Sequence, residues 1–113
     1  MKDDRAVHLR RDRFYRARGG TARLLRIACG YCGSYLCIYQ KDGNGKLRRL
    51  YWDRLSKATF VVAHTAGASQ SDMRPAVCGA CGHTVGAPVA YAPENRLAWR
   101  LLPGAVRRSR IER

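Results

Sequence analysis

The chain has 113 residues, a length that fits one domain. Its hydrophobic content of 46% is ordinary for a globular protein and excludes a wholly disordered chain. The formal net charge is +14, from 22 Lys and Arg against 8 Asp and Glu. Such a surplus favours polyanionic partners, with nucleic acid ahead of an anionic membrane surface.

No segment has the pattern of a secretory signal or a membrane span. Residues 1–26 are charged throughout and lack the apolar core of a secretory signal. Nothing approaches the roughly 20 apolar residues of a spanning helix. We therefore expect a cytoplasmic protein, in which paired cysteines indicate metal binding or redox chemistry rather than structural disulfides.

Residues 1–20 form a predicted basic N-terminal arm. Its apolar positions are too irregular to define a helical face, so we expect helix or coil that ends at Gly19-Gly20. Arginine side chains suit bidentate phosphate contacts, and the alternative is a solvated, flexible terminus. The arginines of the arm proposed to bind nucleic acid are Arg10, Arg11, Arg13, Arg16 and Arg18.

Runs of β-forming residues fill the predicted central domain, residues 21–104. Strands are expected at 21–28, 34–40, 46–52, 59–64, 84–91 and 97–102. The second and third runs flank Asp-Gly-Asn-Gly at 42–45, a pattern typical of a β-hairpin. Residues 105–113 are predicted to be a basic, exposed C-terminal tail, whose proposed phosphate-binding residues are Arg107, Arg108 and Arg110.

Two Cys-x-x-Cys-Gly motifs carry the strongest chemical signal. Cys29 and Cys32 form the first pair, and Cys78 and Cys81 form the second. Each turn places two sulfurs on one side of a tight loop, and the following glycine permits a left-handed backbone. Two such turns together make the tetrahedral sulfur site that Zn²⁺ prefers. The sequence therefore predicts one structural zinc ion.

A redox dithiol is the alternative for the first pair. That chemistry needs the first cysteine at a helix N-terminus, whereas a strand-like run follows here. Four thiolates also leave no open coordination position for zinc catalysis. The fifth cysteine, Cys37, fits a small buried side chain, and His83 fits a neighbour of the site better than a ligand. We expect no enzymatic activity.

The paired motifs, with the expected hairpin between them, resemble zinc-ribbon proteins. The run Cys-Gly-Ala-Cys-Gly-His-Thr-Val-Gly at 78–86 is also similar to the second motif of the β-tent group, which includes yippee-like proteins and the thalidomide-binding domain of cereblon. The chain lacks the tryptophan often found beside that glycine. Either resemblance implies a small β-rich, zinc-centred fold with a binding or scaffolding role.

The expected hairpin combines basic and aromatic residues, which suits single-stranded or structured RNA. Its proposed nucleic-acid contacts are Lys41, Lys46, Arg48, Arg49 and Trp52, with Tyr39 and Tyr51 nearby. Alternatively, the aromatic rings cover the core. We expect a non-enzymatic RNA-binding zinc protein, with the ribosome as a candidate partner. A protein-interaction or ligand-binding β-tent module and a DNA-binding, transcription-associated zinc ribbon are the alternatives.

Overall fold

The computed structural model describes residues 8–60 and 72–111. Within these ranges the protein is β-rich, with eight strands and one short α-helix. The helix is α1 (Arg13–Ala17), and the strands are β1 (Ala22–Cys29), β2 (Tyr35–Asp42), β3 (Arg49–Tyr51), β4 (Leu55–Ser56), β5 (Ala76–Val77), β6 (Thr84–Tyr91), β7 (Arg96–Leu101) and β8 (Val106–Arg110). The predicted β-rich class is confirmed.

The described strands form two antiparallel sheets of four strands each. The first sheet has the order β4-β2-β1-β8, and the second has the order β3-β7-β6-β5. Both sheets contribute to one hydrophobic core, with Ile27 and Leu36 from the first and Val85 and Trp99 from the second. The indole of Trp99 is fully buried and meets the ring of Phe60 edge to face, with centroids 5.6 Å apart.

Side-chain alternation explains how β1 separates its two faces. Leu25, Ile27 and Cys29 belong to the main core. Leu24, which points the other way, forms a second small cluster with Ile38. Leu9, Tyr35 and Ile111 pack against that cluster, so residues near both ends of the described chain cover the outer face of the first sheet.

The expected hairpin around residues 42–45 is wrong in its pairing. β2 pairs with β1 and β4, whereas β3 pairs with β7 in the other sheet. Six residues, 43–48, connect β2 to β3. That length lets the chain cross the roughly 10 Å between packed sheets, which a two-residue hairpin turn could not do.

The segment that was expected to be a C-terminal tail is mostly strand. Val106–Arg110 pairs with β1 as an edge strand of the first sheet, although Arg107, Arg108 and Arg110 remain exposed. The expected strand at 59–64 falls mainly on residues 61–64, which lie outside the described residues. Thr59 and Phe60 form a bend rather than a strand.

The N-terminal arm is attached to the two-sheet body rather than free over its described part. Asp12 caps α1, and its side chain accepts hydrogen bonds from the amides of Phe14 and Tyr15, both 3.1 Å. The helix then ends before Gly19, as expected. The side-chain amide of Gln40 pairs with the backbone of Arg10, at 2.6 Å and 2.8 Å, like a neighbouring strand. Among the described residues, no helix is long and apolar enough to span a membrane.

Candidate functional site

The two cysteine motifs are the turns of two equivalent β-hairpins. Cys29 and Cys32 connect β1 to β2 in the first sheet, and Cys78 and Cys81 connect β5 to β6 in the second. In each turn the amide of the following glycine donates to the carbonyl of the first cysteine, at 2.8 Å. Both glycines, Gly33 and Gly82, have φ of 81°, the left-handed conformation that the motif requires.

A register irregularity precedes both turns at the same place. In the β1–β2 pair the register shifts between Ile27 and Ala28, and in the β5–β6 pair it shifts between Ala76 and Val77. Each shift bends the strand as it reaches its first cysteine. The two sheets thereby present their cysteine turns to each other at one end of the core.

The four sulfur atoms come together in the geometry of a metal centre. All four lie within 4.8 Å of one another. Cys29 Sγ is 3.7 Å from Cys81 Sγ, and Cys32 Sγ is 3.7 Å from Cys78 Sγ, so the short contacts join the two sheets. Sulfurs at the corners of a tetrahedron with metal–sulfur bonds of 2.3 Å would be about 3.8 Å apart. The cluster can therefore hold one metal ion with little adjustment.

Hydrogen bonds, burial and the neighbouring sulfurs shift the pKa values of three of these thiols. Hydrogen bonds from Ser34 lower the pKa of Cys32 to about 6. For Cys29, burial raises the pKa, but hydrogen bonds from the amides of Cys32 and Tyr31 outweigh burial and leave it below its ordinary value. For Cys81, the amide of His83 lowers the pKa, whereas burial and the neighbouring thiols raise it to about 12. A divalent cation among the sulfurs would stabilise all four thiolates.

The fifth cysteine and the nearby histidine lie outside the ligand set. Cys37 is fully buried in the core, and burial raises the pKa of its thiol well above its ordinary range. His83 is exposed, and its Nδ1 lies 3.3 Å from Cys81 Sγ, within reach of a hydrogen bond to that sulfur. Its ring stacks on Tyr31, with centroids 4.0 Å apart and planes 11° apart.

Comparisons with known proteins found no match. No family model, no curated protein and no solved structure matches this chain. The resemblances to zinc ribbons and to the β-tent group stay predictions.

The structure gathers five of the proposed phosphate-binding residues around one cleft. This basic cleft has a volume of about 120 Å³, and its cations are Arg18, Lys41, Lys46, Arg48 and Arg49. One comes from the arm, and the others come from the end of β2, the connection to β3 and the start of β3. The side chains of Lys46 and Arg48 are exposed, whereas Arg49 is half-buried, with its guanidinium 4.4 Å from the centroid of the Tyr91 ring.

Like charges lie close to the cations of the basic cleft. Burial, together with the charges of Arg23 and Arg18, holds the pKa of Lys41 below its ordinary value. Lys41 lies directly opposite Arg23 on the neighbouring strand, and Arg49 lies directly opposite Arg100. Like charges placed directly opposite on neighbouring strands are destabilising. An anion bound in the basic cleft would relieve this repulsion.

Several arginines of the arm make contacts within the protein. Arg18 donates to both carboxylate oxygens of Glu94, at 2.9 Å each, while also lining the basic cleft. Arg16 donates to the carbonyl of Arg11, and the guanidinium of Arg13 lies 4.8 Å from the centroid of the Phe14 ring. The backbone of Arg10 is held by Gln40, but its side chain is exposed.

The aromatic residues of the expected hairpin belong mainly to the core. Tyr39 and Tyr51 are buried, and the Tyr39 hydroxyl accepts a hydrogen bond from the Tyr51 amide at 3.0 Å. Trp52 is half-buried and packs against the main core. The alternative that these rings cover the core therefore holds for the two tyrosines, which have no free face to offer a base.

Sequence reasoning missed a network of buried arginines behind the basic cleft. Arg54 is 3% exposed and pairs with Asp12 and Asp42, while Arg96 is 6% exposed and pairs with Asp53 and Glu94. The Arg96 guanidinium lies between two rings, 3.9 Å from the centroid of Phe14 and 3.8 Å from that of Tyr51. The partners come from distant parts of the chain, so no local pattern could have shown them. These arginines fix the arm and the walls of the basic cleft.

Proposed function

We propose that the protein is a non-enzymatic nucleic-acid-binding module, stabilised by one Zn²⁺ ion on Cys29, Cys32, Cys78 and Cys81. RNA is the favoured ligand, and ribosomal RNA is a candidate source of it. The observation that carries the proposal is the convergence of arm and strand cations on the basic cleft, within a chain of net charge +14.

Zinc is favoured over other metals by the donor set. Four thiolates with tetrahedral spacing suit Zn²⁺, and iron is the other metal that such a set commonly holds. A closed four-sulfur site leaves no position for substrate, so the ion's role is to join the two sheets. In small domains the free energy of binding a structural metal becomes free energy of folding.

Phosphate is the group that the basic cleft suits best. Five cationic side chains and one carboxylate, that of Asp42, line a volume of about 120 Å³, and the Asp42 charge is already paired with Arg54. The volume is too small for a folded partner but suits a phosphate group and its immediate neighbours. Arginine forks and lysine ammonium groups both bind phosphate oxygens. The exposed arginines of β8 add charge along the first sheet and extend the area that a polyanion could contact.

A salt series tests the proposal directly. Fluorescence anisotropy with a labelled 12-nucleotide RNA should give an affinity that falls with increasing NaCl, with a logarithmic slope of several units. Replacing Lys46 and Arg48 together by alanine should lower that slope by about 2 and weaken binding at least tenfold at 0.1 M salt. Unlabelled DNA of the same length should compete less well than RNA.

The matched control is Arg74→Ala. Arg74 is also an exposed arginine, but it precedes β5, which lies at the opposite edge of the second sheet from β3. It should change the slope by less than half a unit. A flat salt response of the wild type, or equal losses in the Arg74 control and the double variant, would contradict the proposal.

A further inference from the structure

The Tyr31–His83 pair is an exposed aromatic surface on the cysteine turns. The rings stack in parallel, and Tyr31 is 48% exposed. Among the described residues, Tyr31 and Val77 are the two large hydrophobic residues that are exposed. The contact joins the first turn to the residue that follows the second. One ring face of each residue meets the other, so a further planar group can stack only on an outer face of the pair.

We propose that the Tyr31–His83 pair is a stacking site for unpaired bases of single-stranded nucleic acid. This inference rests on the proposed function and extends it, because the basic cleft would bind phosphates whereas this pair would bind a base. Aromatic rings stack bases of any sequence, provided that the base face is not already covered by a neighbour in a duplex.

The strand β8 runs from beside the first cysteine turn towards the basic cleft. It begins opposite Cys29 and ends with Arg110 opposite Leu25, and Arg107 Nη2 lies 3.5 Å from the carbonyl oxygen of Gly30. Two residues beyond Leu25 along β1, Arg23 is the cross-strand partner of Lys41, which lines the basic cleft. The path along β1 from Cys29 to Arg23 is six residues, about 20 Å.

The path is positively charged along its length. Arg108 and Arg110, which pair with Ile27 and Leu25, project from the same face of the first sheet as Arg23, whereas Arg107 projects from the other face beside the first cysteine turn. Arg108 is close enough to Lys41 to contribute to the lowered pKa of that lysine. A sugar–phosphate backbone of a few nucleotides could therefore follow β8, with a base on the Tyr31–His83 pair and a phosphate in the basic cleft.

The test separates base contacts from phosphate contacts. Anisotropy would be measured with the zinc-loaded full chain and three probes of equal length: a U12 RNA, an abasic 12-mer with the same number of phosphates, and a 12-base-pair RNA duplex. We expect U12 to bind about tenfold more tightly than the abasic probe. Tyr31→Ala should remove that difference by weakening U12 alone, and Tyr31→Phe should preserve it.

Val77→Ala is the matched control, because Val77 is the other large exposed hydrophobic residue among those described and lies beside the second turn. It should leave both affinities unchanged. Equal binding of U12 and the abasic probe by the wild type would overturn this inference while leaving the proposed function intact, and so would an unchanged ratio in Tyr31→Ala. Tighter binding of the duplex than of U12 would also overturn it. Failure of every probe to bind would overturn the proposed function as well.

Discussion

Arg54 holds Asp12 with two hydrogen bonds, from Nη2 to Oδ1 at 2.6 Å and from Nη1 to Oδ2 at 3.0 Å. The Arg54 side chain is only 1% exposed, and its Nε donates to Asp42 Oδ2 at 2.8 Å. One buried guanidinium therefore connects the cap of the arm helix to the end of β2. The arm is positioned by this charge, and through Arg18 the arm supplies one wall of the basic cleft.

The two carboxylates of this network should differ in their contribution to stability. Asp42 is buried, so Asp42→Asn leaves part of a buried charge unpaired and should lower the free energy of unfolding by about 3 kcal/mol. The Asp12 side chain is 39% exposed. Asp12→Asn keeps a helix-capping side chain and should cost only about 1 kcal/mol. Urea unfolding of the metal-loaded proteins measures both values, and a larger loss for Asp12→Asn would contradict the assigned roles.

The effect of Asp12 should depend on pH. The hydrogen bonds from Arg54 hold the pKa of Asp12 well below its ordinary value, despite an opposing contribution from burial. A carboxyl with a lowered folded-state pKa contributes stability above its unfolded pKa, and this contribution is lost as the pH falls towards the folded value. The stability difference between wild type and Asp12→Asn should therefore shrink below about pH 4.

The comparison of wild type with Asp12→Asn removes the effect of the four-cysteine cluster, which both proteins share and whose affinity for a metal ion would also fall in acid as thiolates are protonated. Unfolding free energies would be measured at several pH values from 7 downwards. A difference that stays constant or grows as the pH falls would show that Asp12 carries no stabilising charge interaction.

The two cysteine turns should respond differently to the same substitution. A Cβ atom at Gly30 would overlap the carbonyl oxygen of Gly104, whereas one at Gly79 would meet nothing within 4 Å. The Gly30 amide also donates to the Ala105 carbonyl at 2.7 Å. Gly30→Ala should displace the start of β8 and destabilise the protein by about 2 kcal/mol.

Gly79→Ala provides the internal control, since it occupies the same position in the second turn and should change stability by less than about 0.5 kcal/mol. Thermal unfolding with saturating metal measures both variants. Equal destabilisation would mean that the close contact between the first turn and the Gly104 segment does not matter for stability.

The sequence was sufficient to predict the four-cysteine cluster because its determinants are local. Each Cys-x-x-Cys-Gly turn contains its own two sulfurs and the glycine that allows the turn, so only the meeting of the two turns depended on the fold. β1, β6 and β7 were likewise visible as runs of β-forming residues. The hairpin prediction was wrong because a run of β-forming residues does not specify which strand it pairs with. Six residues separate β2 from β3, and Leu50 of β3 is buried in the core as part of the second sheet.

Other features depended on contacts that no local pattern encodes. Arg96 is one of 22 Lys and Arg residues in the sequence, and its burial, its ion pairs and its contacts with the Phe14 and Tyr51 rings distinguish it only in the folded protein. The stack of Tyr31 on His83 requires two turns that are about fifty residues apart in the chain to meet. A signal for it did exist, because both residues lie within or beside a cysteine motif whose convergence was predicted.

Elemental analysis of purified wild type, Cys81→Ala and Cys37→Ala measures directly whether the four clustered cysteines hold a zinc ion. We expect one zinc ion per wild-type chain, one in Cys37→Ala, and a loss of the tightly bound ion together with the folded state in Cys81→Ala. A wild-type protein that is folded after removal of all metal under reducing conditions, or a Cys37→Ala variant that loses its metal while Cys81→Ala keeps it, would show that Cys29, Cys32, Cys78 and Cys81 do not hold a structural zinc ion.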